Sequence, residues 1–108
     1  LPMHLLFICT YNRWRSLTAE RLFAHRPGVE VRSAGISASA RVKVSPALVK
    51  WADLIFVMED RHREFLEDTM SDLVNEKHII CLNIPSGYRY NDPELIELLE
   101  KGVEEWLC

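Results

Sequence analysis

Residues 9–16 read Cys9-Thr10-Tyr11-Asn12-Arg13-Trp14-Arg15-Ser16, a cysteine followed six positions later by an arginine and then a serine. These types at this spacing suit a phosphate dianion. A tight loop entering a helix turns successive backbone N–H groups inward, and the helix dipole adds partial positive charge. A guanidinium at Arg15 forks across two phosphate oxygens, which an ammonium cannot do. The same positive field favours the thiolate at Cys9, placed beneath the phosphate for in-line attack. Ser16 can donate its hydroxyl to that sulfur, first as nucleophile and later as leaving group. Thr10, Tyr11, Asn12, Arg13 and Trp14 complete the expected phosphoryl-binding surface. By chance, given the frequencies of these residue types, the pattern would arise roughly once in a hundred cysteines. The competing reading makes Cys9 a small buried hydrophobe and Arg15 a surface charge. Position along the chain decides between them.

The elements around the loop place it well. His4 to Ile8 is a continuous apolar run ending at Cys9, the pattern of a strand buried on both faces. Ser16 to Ala24 reads as a helix with Leu17, Ala19, Leu22 and Phe23 on one side, stopped by Pro27-Gly28. Val29 to Ser33 alternates as a short strand before a turn at Gly35, and residues 36–44 read as loop. Pro46 to Ala52 fits a short helix capped by Ser45. Leu54 to Met58 is a second apolar strand, and Asp60 to Thr69 a polar helix with Phe65 and Leu66 inward, extended or followed by Asp72 to Asn75. Lys77 to Leu82 reads as a third buried strand, and residues 83–91 as turns. Asp92 then caps a helix from Pro93 to Leu107. Strand and helix alternate throughout. The expected fold is therefore α/β, a three-layer, doubly wound parallel sheet of about four strands. In such folds ligands bind at the carboxyl ends of the strands, at the switch point beside strand 1, where the 9–16 loop lies.

Composition narrows the class further. A chain of 108 residues reads as one domain, residues 1–108, able to bury roughly 65% of its unfolded surface. With 48% hydrophobic and 27% charged residues, it is neither disordered nor fibrous. No apolar run approaches the roughly 20 residues of a membrane helix, and no secretory leader is expected. Leu1 and Pro2 read as an addition ahead of a natural start at Met3. Three cysteines, Cys9, Cys81 and Cys108, form no disulfide framework, which points to a reduced, cytoplasmic protein. With His4, His25, His62 and His78 they show no metal-ligand spacing, so no metal is expected. The net charge of −3 is uneven. Residues 1–50 hold eight Lys/Arg against two acids, a balance of +6; residues 51–108 hold five against fourteen, a balance of −9. The basic residues are too few and too rarely interleaved with aromatics for a nucleic-acid surface. They suit an anion site better.

The motif residues resemble a known family. Cys9-x2-Asn12-x2-Arg15-Ser16 followed by Thr18-Ala19-Glu20 looks like the phosphate loop of the low-molecular-weight protein tyrosine phosphatases. Ser33-Ala34-Gly35 and Ala52-Asp53-Leu54-Ile55-Phe56-Val57-Met58-Glu59, with His62-Arg63 after it, match two further stretches in the same order. The resemblance implies strand order 2-1-3-4, a cysteinyl-phosphate intermediate and no cofactor. It makes Cys9 the nucleophile, Arg15 the phosphate clamp and Ser16 the thiolate's assistant. Asn12 would hold the loop's shape, and Tyr88 would stand beside the substrate ring. The expected partners are inorganic phosphate and a phosphotyrosine protein or small aryl phosphate.

Four departures from the family pattern bear on chemistry. The segment from Gly35 to Ala52 lacks much of the usual loop and helix that wall the cleft. Tyr11 and Trp14 replace small residues of the loop, and Leu17 replaces a proline. Aligning Ile84-Pro85 and Tyr88 puts Ser86-Gly87 where the family carries the Asp-Pro of its general acid. Asp92-Pro93, six residues on, supplies an alternative acid, but the pair equally fits a helix N-cap with proline in the first turn. Hence either Asp92 is the acid or the acid is absent. A non-catalytic phosphoryl-binding module is the main alternative function. Arsenate reduction is weaker, because it needs relay cysteines beyond Cys81 and Cys108.

Overall fold

The computed structural model describes residues 1–107. Strand β1 (Met3–Cys9) leads through the loop into α1 (Arg15–Phe23) and β2 (Val29–Gly35). Helix α2 (Pro46–Trp51), strand β3 (Leu54–Val57), helix α3 (Asp60–Val74), strand β4 (His78–Cys81) and helix α4 (Pro93–Val103) follow. All strands pair in parallel, in the order β2-β1-β3-β4. The chain leaves β1 to one side for β2 and returns to its other side for β3, so the switch point is at β1.

The apolar run of β1 has its cause in that central position. Leu5, Phe7 and Cys9 face one core with Ala19 and Phe23 of α1 and Leu95, Leu99 and Val103 of α4. Leu6 and Ile8 face a second core with Val49 of α2 and Leu66 and Val74 of α3. Leu5, Leu6, Phe7 and Ile8 are all fully buried, and each contributes roughly 1.5–3 kcal/mol of hydrophobic stabilisation. Two helix layers thus sandwich the sheet, as the alternation of elements predicts.

Four local expectations change. Lys77 to Leu82 is not a buried strand: β4 is the sheet's edge, with β3 as its one strand neighbour, and none of its residues is fully buried. The helix expected from Pro93 to Leu107 is α-helical only to Val103 and then tightens into a 3₁₀ turn over Glu104–Trp106. Helix α3 runs on to Val74 but breaks at Met70 (φ −140°, ψ 39°), which joins the two segments read from the sequence. The face of α1 that opens the helix is polar: Arg15, Ser16 and Thr18 are buried, while Leu17 and Leu22 are only half-buried. That first turn lies under the loop, so hydrogen bonding rather than apolar contact fills the space.

Strand β2 also runs two residues past its predicted end, through Ala34 and Gly35 beside Ile8 and Cys9. Gly35 is held to its type by space. A Cβ there would stand 2.5 Å from the Thr10 carbonyl oxygen and 2.8 Å from Ala40 Cβ, closer than real contacts allow. The loop after β1 therefore lies directly against the end of β2.

Candidate active site

The loop's shape is set by its carbonyls. Cys9 O accepts from Ile36 N–H, Thr10 O from Ser37 N–H and Tyr11 O from Arg41 N–H, each at 3.0 Å. Asn12 O accepts from Arg41 Nε at 3.1 Å. In a trans peptide the next N–H points opposite to the carbonyl. The N–H groups of Thr10, Tyr11, Asn12 and Arg13 are therefore turned away from residues 36–41, and Asn12 N–H meets Cys9 Sγ at 3.3 Å. Asn12 takes the left-handed backbone (φ 57°) that this curl requires, a conformation asparagine tolerates better than most residues. No side chain caps α1, whose N-terminus adds its dipole to the same spot.

Behind the loop runs a buried hydrogen-bonded chain. Ser33 Oγ donates to Glu20 Oε1 (2.6 Å), and Asn12 Nδ2 donates both to Ser33 Oγ (2.9 Å) and to Ser16 Oγ (2.7 Å). Because Ser16 Oγ receives that bond, its own proton is free for Cys9 Sγ at 3.0 Å or Ala34 O at 3.3 Å. A carboxylate at one end and a sulfur at the other polarise the donors between them.

Arg15 and the start of α3 form the opposite wall. The guanidinium is buried, and its Nη1 donates to Glu59 Oε2 at 2.5 Å and to Ile84 O at 2.8 Å. Burial pushes the Glu59 carboxyl upward, but bonds from Arg15 and Arg61 outweigh it and hold the group below the usual carboxylate range. His62 is fully buried. Its Nδ1 accepts from Glu59 N–H (3.0 Å), so the remaining ring proton lies on Nε2 and is donated to Thr10 Oγ1 (3.0 Å). Burial, reinforced by Arg15 and Arg61, pulls the imidazole down to about 4, so it is neutral at pH 7.

That shift has a sign. An unfolded histidine binds its proton near pH 6.5, the folded one only near 4, so stability falls as pH drops across that window and changes no further below it. With solvent screening allowed for, the loss is on the order of 1–2 kcal/mol. The urea midpoint should fall between pH 7 and 5 and should fall less in a His62→Gln variant. Equal slopes in the two proteins would rule His62 out as the cause.

The open face is a cleft of about 440 Å³, lined by Cys9, Thr10, Tyr11, Trp14, Arg15, Arg61 and the 86–89 turn. Of the residues expected in the site, Cys9, Thr10, Tyr11, Trp14, Arg15 and Tyr88 meet there. Asn12 and Ser16 are fully buried behind the loop rather than in the cleft. Arg13 is exposed, with Nη2 donating to Ser39 O at 3.4 Å. Asp92 is the N-cap of α4: its carboxylate accepts Glu94 N–H at 2.8 Å, and it is not part of the cleft lining. Ser86 does line the cleft, and no carboxylate does so among the described residues. From the sequence, Glu20, Ser33, Glu59 and His62 have no role, and Arg41 has only that of a positive charge near the approach to the site. Four of them stand inside the stretches that carried the family resemblance, which was their only sequence signal.

Fold, loop and cleft together resemble those of the cysteine-based phosphatases. Residues 4–50 match the sequence model of the family described as low molecular weight phosphotyrosine protein phosphatase. The tyrosine phosphatase Wzb from Escherichia coli K30, solved with phosphate, superposes with a TM-score of 0.78 at 25% identity, over 98% of this chain and 96% of that one. Wzb from Vibrio vulnificus with benzylphosphonate gives 0.78 at 22% identity, over 96% of each chain. The arginine phosphatase YwlE from Geobacillus stearothermophilus gives 0.74 at 20%, over 98% of this chain and 94% of that one, and so shares the fold. No match was found among curated proteins. The chain thus resembles this phosphatase family in sequence over its first half and in fold over nearly all its length. Among the described residues, no helix is long and apolar enough to cross a membrane.

Proposed function

We propose that the chain is a phosphomonoesterase acting on aryl phosphates, phosphotyrosine included, through a covalent phosphoryl-Cys9 intermediate. One observation carries this reading: Cys9 Sγ lies at the base of a loop whose first four carbonyls, Cys9 to Asn12, are tied outward, beside a buried arginine. Inward N–H groups and Arg15 would hold the three non-bridging oxygens of the phosphoryl group. Cys9 sulfur attacks phosphorus, the S–P bond forms and the P–O bond to the phenol breaks. Water then attacks phosphorus, the new P–O bond forms as the S–P bond breaks, the water's proton passes to solvent, and the Cys9 thiolate leaves with the Ser16 hydroxyl and Asn12 N–H as its hydrogen-bond donors.

Aromatic walls from Tyr11, Trp14 and Tyr88 suit an aryl ring. Arg61 and Arg89 beside them, with no carboxylate in the lining among the described residues, disfavour the guanidinium of a phosphoarginine side chain. No residue in the cleft is assigned as general acid, since Asp92 is occupied as a helix cap and Ser86 holds the family's acid position. The phenolate then leaves unassisted and takes its proton from water. General-acid help contributes about 10²–10⁴-fold, so turnover should depend steeply on how good the leaving group is.

The test is a series of aryl phosphates of increasing phenol pKa, with acid-quenched enzyme digested for mass spectrometry. Expected are a phosphoryl adduct on Cys9, a rate that falls steeply along the series, and an Asp92→Asn variant within about threefold of the parent throughout. A flat series abolished by Asp92→Asn would restore Asp92 as the acid. Phosphate binding without turnover or adduct would make the chain a phosphoryl-binding module.

A further inference from the structure

We propose that His62 is a positioning residue for this reaction, fixing Thr10 by the bond from its Nε2–H to Thr10 Oγ1. The inference rests on the phosphatase reading of the 9–16 loop. Thr10 is the residue after the nucleophile and lines the cleft. The rest of the loop is held by other means: the Asn12 and Ser16 side chains are tied to α1 and β2, and Arg15 to Glu59 and Ile84. Thr10 is held on one side by its carbonyl, which accepts Ser37 N–H. Among the described residues, its side chain has His62 as its hydrogen-bond partner, from a helix on the far side of β3.

The imidazole is suited to that task by its tautomer. Glu59 N–H occupies Nδ1 as part of the helix cap, and His62 N–H donates back to the Glu59 carbonyl at 3.0 Å. That reciprocal pair orients the ring and leaves the Nε2 proton with one direction to point. The charged groups around the ring are Arg15 of α1, Arg61 of α3 and Glu59 before it. None of them can replace the bond to Thr10 without breaking its own. His62 touches Thr10 rather than Cys9, so it acts on the reaction through the placement of Thr10 and its N–H. A misplacement of about 1 Å in such a group can cost about 100-fold in rate.

The test is a double-mutant cycle on the whole chain, reading kcat/KM for a good aryl phosphate and the inhibition constant of inorganic phosphate. His62→Ala and Thr10→Val should each lower kcat/KM by about ten- to a hundredfold and weaken phosphate inhibition. The double variant should be no worse than His62→Ala within about threefold. His62→Gln, with an acceptor and a donor to place, should recover most of the loss. Leu66→Ala, which opens the core on the same helix, serves as the stability control. It should lower Tm yet keep kcat/KM of the folded protein within about threefold.

The proposal is overturned if Thr10→Val behaves as the parent, if the two effects multiply, or if Leu66→Ala loses as much activity per folded molecule. If His62→Ala does not fold, Thr10→Val and His62→Gln still decide the matter. An unmodified chain that neither turns over aryl phosphates nor binds phosphate overturns the phosphatase reading together with this one. An active parent with multiplicative variants overturns this one alone.

Discussion

Replacing Cys9 with serine should abolish turnover, lowering kcat on an activated aryl phosphate by about four orders of magnitude or more. A hydroxyl is a far weaker nucleophile than a thiolate unless a base removes its proton, and the described residues of the site offer no such base. Ser16 and Asn12 are donors toward position 9, and the His62 ring is committed to Glu59 and Thr10. The binding groups stay in place, because the loop is held by its carbonyls and by Asn12 rather than by the sulfur. Titration with inorganic phosphate should therefore show affinity within a few-fold of the parent, while stopped-flow release of the phenol should show no burst. Residual turnover within tenfold of the parent would remove Cys9 from the chemistry.

Arg15→Lys carries the second largest expected effect, a loss of about 10²–10³-fold in kcat/KM. The guanidinium has two tasks here. Its Nη1 is committed to Glu59 and the Ile84 carbonyl, which leaves the other edge of the fork for phosphate oxygens. A single ammonium cannot serve both directions. Lysine would also leave Glu59 with Arg61 as its remaining cationic partner, and Arg61 is half-exposed. Both kcat and phosphate affinity should fall, and the affinity loss separates this variant from Cys9→Ser. A lysine variant within threefold on both measures would show that the fork is not used.

Legibility in the sequence followed the range of the interactions. Alternating strand and helix, the apolar run at Leu5 to Ile8 and the Cys9–Ser16 spacing are local patterns, and the fold class and the place of the loop came from them. Element ends were less legible. The stop of α4 at Val103 and the half-buried edge of β4 depend on which neighbours arrive, not on the residues' own preferences. Two readings of Asp92, helix cap and acid, were legible in the sequence. The bond to Glu94 N–H makes Asp92 the cap of α4, and it is not among the residues that line the cleft.

The sequence by itself determined the chemistry on offer: a thiol, a forked cation and a helix start within eight residues, in a chain patterned to bury a strand on both faces. It also places Ser86 where the family resemblance implies an acid. Only the tertiary structure decided what holds that chemistry in shape. Residues 36–41, featureless as a local pattern, turn the loop's carbonyls outward because β2 runs beside β1 and brings them there. Glu20 reaches Asn12 through Ser33, and Glu59 and His62 reach Arg15 and Thr10, by bonds across sequence separations of 13 to 52 residues. Such contacts have no period and no spacing to read. They exist because packing the sheet brings distant polar groups together, and burial there leaves a polar group stable only with a partner.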